Sequence, residues 1–299
     1  MGQVTRYERP PTSFQPDDHP MSDPAADRPS PAYRQPAYRQ PRQYGAVNWL
    51  GLRTLYVKEV RRFLTVGTQT LLAPVVTTLL FFAVFALALG GAVRMVGGLH
   101  FVDFLAPGLI MMATTQNAFA NTSSSIMVSK MHGNIVDMLM PPITPGEFLV
   151  GYAMAGVTRG VLVALAVGLA MEPFISTGIQ HWWAALYFAA MGSLILALIG
   201  ILAGLWSQKF DHLAAVTNFV ITPLAFLSGT FYSVQQLPPV WRMVAHGNPF
   251  FFMIDGFRYG MTGHSDGDML LGSVALGLVG LGLWLFCLLL LRRGWRLQS

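Results

Sequence analysis

The sequence predicts an all-α polytopic membrane protein with six transmembrane helices, and three observations predict it. Of 299 residues, 53% are apolar and only 11% are charged, against roughly 25% charged in an ordinary soluble domain. The charges cluster, leaving uncharged stretches as long as the roughly 20 residues a helix needs to cross the hydrocarbon core. Lys and Arg gather beside the ends of those stretches, where they orient a chain in a bilayer. The length suits one membrane domain. The net charge of +5 therefore reads as topology, with no basic face suited to nucleic acid. Cys287, the single cysteine, lies in the last apolar stretch, which excludes an internal disulfide or a cysteine metal site.

Residues 1–47 carry nine of the 19 prolines, six arginines and five acidic residues, with too little apolar area to offset the entropy of ordering. A disordered, proline-rich cytoplasmic tail is expected there. It holds a tandem PAYRQ at Pro31 to Gln35 and Pro36 to Gln40, whose Tyr and Arg suit anionic lipid or a partner. The opening residues do not read as a cleavable signal peptide, so the first span is expected to serve as the insertion signal.

Residues 48–64 read as an amphipathic helix. Trp49, Leu52, Tyr56, Val60 and Phe63 fall on one side, and Lys58, Glu59, Arg61 and Arg62 lie largely opposite. Just before a span, such a helix is expected to lie in the membrane interface with its basic side toward the headgroups.

Spans are expected near Gly67 to Gly91, Phe104 to Ile126, Phe148 to Ala170, Trp182 to Leu205, Leu213 to Phe231 and Met269 to Leu291. Nine Lys and Arg residues then fall on one side (Arg53, Lys58, Arg61, Arg62, Lys130, Lys209, Arg292, Arg293 and Arg296) against Arg94, Arg242 and Arg258 on the other. That imbalance places both termini in the cytoplasm. The connector 127–147 is cytoplasmic, short and amphipathic, and Pro141, Pro142 and Pro145 are expected to stop any helix in it. The connector 232–268 faces outward, and its mixture of aromatics, prolines and glycines suits short helices dipping into the interface.

No G-x-x-x-x-G-K-[ST] loop is present, and none of the three lysines follows a glycine. If ATP drives this protein, a second polypeptide must bind it. The seven histidines are too scattered for local metal-ligand pairs, and neither H-E-x-x-H nor G-x-S-x-G occurs, so no enzyme site is expected. Two polar features need explaining. Thr114, Thr115, Gln116, Asn117, Asn121, Thr122, Ser123, Ser124 and Ser125 form a ladder in the second span, facing either another helix or an aqueous path. Arg159 is the only charge well inside an expected span, and it either serves function or snorkels and pairs with carbonyls. Thr115, Asn117, Asn121, Ser124 and Arg159 are the candidate pathway residues. Asp255 and Arg258, one helical turn apart, suit a local ion pair or cap better than a substrate site.

With these pieces placed, the core resembles the membrane permease subunits of the type-two ABC exporter family (ABC-2 type transporters). The motif residues are Pro223, Leu227, Ser228, Gly229, Phe231, Tyr232, Leu237, Pro238, Asn248, Pro249, Asp255 and Arg258, in a pattern P-x-x-F-L-S-G-x-F-Y, L-P, N-P, D-x-x-R. The run from Asp137 to Gly160 is similar to the family's stretch from a cytoplasmic coupling helix into the third span. The resemblance covers residues 48–299 as one transmembrane domain and leaves out the proline-rich tail.

It implies an ATP-driven exporter in the bacterial inner (plasma) membrane, with a second permease copy, lipid around it and two copies of an ABC ATP-binding subunit. ATP and magnesium would sit on that partner, with no cofactor in this chain. Lys130, His132, Asp137, Met138, Pro141 and Pro142 would meet the ATPase, and Leu237 to Gly263 would form short re-entrant helices before the last span. The alternative is an ion-driven secondary transporter. It calls for inverted repeats and an intramembrane acid, neither of which the expected spans contain.

Overall fold

The computed structural model describes residues 47–89, 95–132, 143–176 and 178–293. The expectation of a disordered tail falls on residues outside that range, apart from Val47. The described chain is almost entirely helical. Helix α1 is Trp49–Thr65 and α2 is Ala73–Leu89, joined through a π-helical turn at Thr68–Leu72. A two-residue hairpin, β1 Met95–Val96 with β2 Leu99–His100, leads into α3, Phe101–Met131. Then come α4 (Pro145–Met171), α5 (Trp182–Trp206), α6 (Phe210–Val216) and α7 (Thr222–Leu227), the last two continuous through a π-helical segment at Thr217–Ile221. Two short helices, α8 (Pro239–His246) and α9 (Pro249–Thr262), precede α10 (Met269–Arg292).

Among the described residues, five helical stretches are long and apolar enough to cross a membrane: Thr68–Ala88, Pro145–Phe174, Trp182–Trp206, Phe210–Leu227 and Met269–Arg292. They lie within a few residues of five of the six expected spans. The remaining expectation, Phe104 to Ile126, falls inside α3, which at 31 residues has the length but whose Thr, Ser, Asn and Gln residues lower its apolar average. Helix α3 is nonetheless the core. It packs against α4, α5, α9 and α2, and Phe104, Leu105, Leu109, Ile110 and Met111 are fully buried.

Small residues permit this packing. At Gly200 on α5, a methyl group would stand 2.6 Å from the Phe119 carbonyl oxygen of α3, so only glycine permits the approach. Beside it the Thr122 hydroxyl donates to the Ala197 carbonyl at 2.8 Å. Most other hydroxyls of the ladder turn back onto their own helix: Thr114 donates to Ile110, Thr115 to Met111 and Ser123 to Phe119. Each thereby satisfies itself without water.

Two local expectations are corrected. Pro145 does not merely stop a helix; it is the first residue of α4. Thr144 caps that helix and Glu147 bonds back to the Thr144 amide, forming a capping box. Glu147 also accepts from the Asn48 amide at 2.5 Å, pinning the start of α1 to the start of α4. In α1 the inward stripe is Leu52, Leu55, Tyr56, Glu59 and Phe63, while Trp49 is 72% exposed. Glu59, expected on the solvated side with Lys58, Arg61 and Arg62, is buried. Its neighbour Arg62 supplies a counter-charge and α3 supplies a hydroxyl, so burial leaves it paired.

Candidate functional site

Because α3 is buried on nearly every side, what it leaves uncovered is informative. Apart from Val102 and Lys130, the residues of α3 that are not buried, Gln116, Asn117, Ala120, Ser124, Val128 and Met131, fall along one line of the helix, at the three- and four-residue spacings of a single face. The upper part of that line floors an open cleft of about 440 Å³, in the range of roughly 300–1,000 Å³ typical of small-molecule sites. Gln69, Thr77 and Thr78 of the α2 segment, Gln116 and Asn117 of α3, and Arg159 of α4 line it, with Phe81 and Met112 adding apolar wall.

Arg159 is half-buried, and its Nη2 donates to Asn117 Oδ1 at 3.0 Å. Its Nε is buried with no acceptor, and among the described residues no carboxylate pairs with it. Of the other candidate pathway residues, Ser124 lies on the open line. Asn121 is buried beside it, and Thr115 is buried on the α5 side, near Gly192, with its hydroxyl bonded to Met111 and Met112.

A network joins α1 to this floor. Arg62 Nη2 donates to the Asn121 carbonyl at 2.8 Å and to Asn121 Oδ1 at 2.9 Å. Arg62 Nε lies 3.0 Å from Glu59 Oε2, which also accepts from Ser125 Oγ at 2.7 Å. Movement of α1 is thereby coupled to the ladder. At the foot of α3, Lys130 Nζ donates to the Leu205 and Ser207 carbonyls at 2.8 and 2.7 Å. It caps the C-terminal end of α5, where the helix dipole favours a cation. His132 is exposed, while Asp137, Met138, Pro141 and Pro142 lie outside the described residues.

The expected Asp255–Arg258 contact exists, at 3.7 Å, as part of a larger knot. Arg258 is buried, donates to the Gly229 carbonyl at 2.7 Å and to Phe104 at 3.3 Å, and sits 3.7 Å above the Phe104 ring. Asp255 accepts from the Asp266 and Gly267 amides and from Ser265 Oγ at 2.8–2.9 Å. Asn248 Nδ2 donates to Leu224 O at 2.9 Å and Ser228 Oγ at 2.7 Å, while its Oδ1 caps α9. The motif L-S-G, N-P and D-x-x-R is thus one assembly: Asn248 and Arg258 grip the Ser228–Gly229 turn from two sides, with Gly229 at φ +78°.

The sequence model of ABC-2 type transporters matches residues 51–262, a stretch that contains the cleft and both Asn248 and Arg258 of this knot. The chain belongs to the ABC-2 type transporter family. Over 251 residues it is 34% identical to the inner membrane transport permease YadH of Escherichia coli K12, covering 84% of this chain and 98% of that protein. It is also similar to the nodulation protein J of Neorhizobium galegae, at 25% identity over 78% of this chain and 88% of that one. The Rhizobium leguminosarum bv. viciae protein of the same name is 29% identical over 73% and 84%. This ABC-2 protein is accordingly a membrane-embedded transport permease.

Sequence reasoning had missed Glu59, Arg62 and Asn248 as bonded residues. Asn248 carried a local signal, because N-P followed by an aromatic run is a helix start with the asparagine as cap, and Glu59 and Arg62 stand three residues apart on one helix face. The α3 partners of that pair are more than fifty residues away in sequence, which no local pattern reports.

Proposed function

We propose that this chain is the permease half of an ATP-driven ABC exporter in the bacterial inner membrane. In this reading α3 is a sixth span lying behind the five apolar ones, α1 lies in the cytoplasmic interface, and α8 and α9 form the re-entrant pair on the outer side. Both termini are cytoplasmic. Two copies form the pathway, and two separate ATP-binding subunits carry ATP and magnesium. The transmembrane domain is 48–299, preceded by the cytoplasmic tail.

The observation that carries this reading is the partly uncovered polar stretch of α3, Gln116, Asn117 and Ser124, with Arg159 beside it. Lipid is a poor neighbour for such a line, and a second permease copy and a passing substrate are the partners that suit it. Asn117, Asn121, Ser124 and Arg159 therefore border the pathway, with Thr115 supporting the α3–α5 contact behind it.

Lys130, His132, Asp137, Met138, Pro141 and Pro142 meet the ATPase. The Lys130 bonds to the end of α5 support this assignment, because a push on the connector moves α3 and α5 together. ATP acts only through such differential contacts between states. The name of one relative, an inner membrane transport permease, accords with a transport role.

Affinity purification of the complex from its native membrane tests the proposal. A co-purifying subunit with a phosphate-binding loop and vanadate-sensitive hydrolysis is expected. A chain recovered alone under conditions that preserve other ABC complexes would overturn it.

A further inference from the structure

Three arginines of the described bundle are drawn inward, and their surroundings differ in kind. Arg258 is neutralised by Asp255 and bonded to two carbonyls. Arg62 is neutralised by Glu59 and bonded twice to Asn121. Arg159 has a single neutral partner, Asn117 Oδ1, and a buried Nε aimed at no acceptor. The walls around it carry no acidic residue. A cation held near the middle of a membrane helix without a counter-charge is costly, and the planar guanidinium fork matches carboxylate and phosphate oxygens two at a time.

We infer that the α2–α3–α4 cleft is a binding site for an anionic amphiphile, whose phosphate or carboxylate head pairs with Arg159 and is oriented by Asn117. This deepens the pathway reading and rests on it for its role in transport. The lining fits both halves of such a molecule. Gln69, Thr77, Thr78 and Gln116 offer neutral hydrogen-bonding groups around the head, and Pro74, Phe81 and Met112 offer apolar wall to the chain. Among the described residues no anionic side chain lines the cleft, to repel the head or to attract a cation. The site therefore discriminates by sign of charge.

The test uses the full chain in phosphatidylcholine nanodiscs and dodecyl phosphate bearing a terminal photo-cross-linker, with labelled peptides mapped by mass spectrometry. Labelling is expected between Gln69 and Phe81 and between Met112 and Asn117, reduced at least tenfold by Arg159→Gln and largely retained by Arg159→Lys. A trimethylammonium amphiphile of the same chain length should not compete. Equal competition by that cation, or labelling indifferent to Arg159→Gln, would overturn the inference.

A parallel arm adds phosphatidylglycerol. Displacement identifies an anionic bilayer lipid as the occupant, and retention identifies a single-chain amphiphile; both support an anion site. The pathway reading fails separately: if dodecyl phosphate binds at Arg159 but its ATP-dependent movement across vesicles of the purified complex is unchanged by Arg159→Gln, the site stands and its place in the pathway falls.

Discussion

Arg258 and Arg159 are both drawn into the helical bundle, one saturated by its surroundings and the other left half-paired. Arg258 has a carboxylate, two carbonyls and an aromatic face around it. Arg159 has one amide oxygen and a cleft. A buried charge whose bonds are complete holds a fold together, whereas one whose bonds are incomplete is available to something else. The difference teaches that a family's most recognisable motif and its working surface need not coincide. The D-x-x-R signature belongs to the first arginine, while the second lies outside it, at the end of the Asp137 to Gly160 run.

The comparison can be broken most forcefully at the knot. Arg258→Met strands the buried Asp255 and should cost about 3–5 kcal/mol, seen as a large loss of folded protein in the membrane fraction. Gly229→Ala should come next. Its φ is +78° and a methyl group there would stand 2.9 Å from Val234 Cγ2 and 3.1 Å from the Tyr232 carbonyl oxygen, so a penalty of about 1–2 kcal/mol from backbone strain alone adds to the crowding. Asn248→Ala leaves Ser228 Oγ and the Leu224 carbonyl without this donor, for about 1–3 kcal/mol. Denaturant or thermal titration in one detergent ranks the three.

The network under α1 sharpens the comparison from the other side. Glu59→Gln removes the counter-charge of Arg62 and should cost about 1–2 kcal/mol. Its readout is faster proteolysis or hydrogen exchange at α1, with the knot unaffected. Arg159→Gln is expected to have the smallest effect on stability, within about 1 kcal/mol of the parent, while abolishing the binding of anionic amphiphiles.

Much of this fold was legible in the sequence because apolar stretches, charged ends and prolines report on local environment. The expected span beginning at Trp182 is α5, which starts at that residue. What stayed hidden depends on distant pairing. Glu59 looked like part of a solvated face until Ser125, 66 residues away, supplied its hydrogen bond. The motif was visible as a string, yet its reason lies in contacts spanning 20 and 29 residues, Asn248 with Ser228 and Arg258 with Gly229. For the cleft, the sequence offered Arg159 and the ladder together. Which rung faces outward was fixed only when α4, α5 and α9 covered the rest of α3, turning Thr115 inward and leaving Asn117 open.

The most direct measurement is the thermal unfolding midpoint of the parent, Arg159→Gln and Arg258→Gln in the same detergent. The expected result is a midpoint for Arg159→Gln within a few degrees of the parent and a fall of roughly 10 °C for Arg258→Gln. Equal falls for the two variants would contradict it, because Arg159 would then be a structural group like Arg258 and the cleft would lose its claim to a ligand.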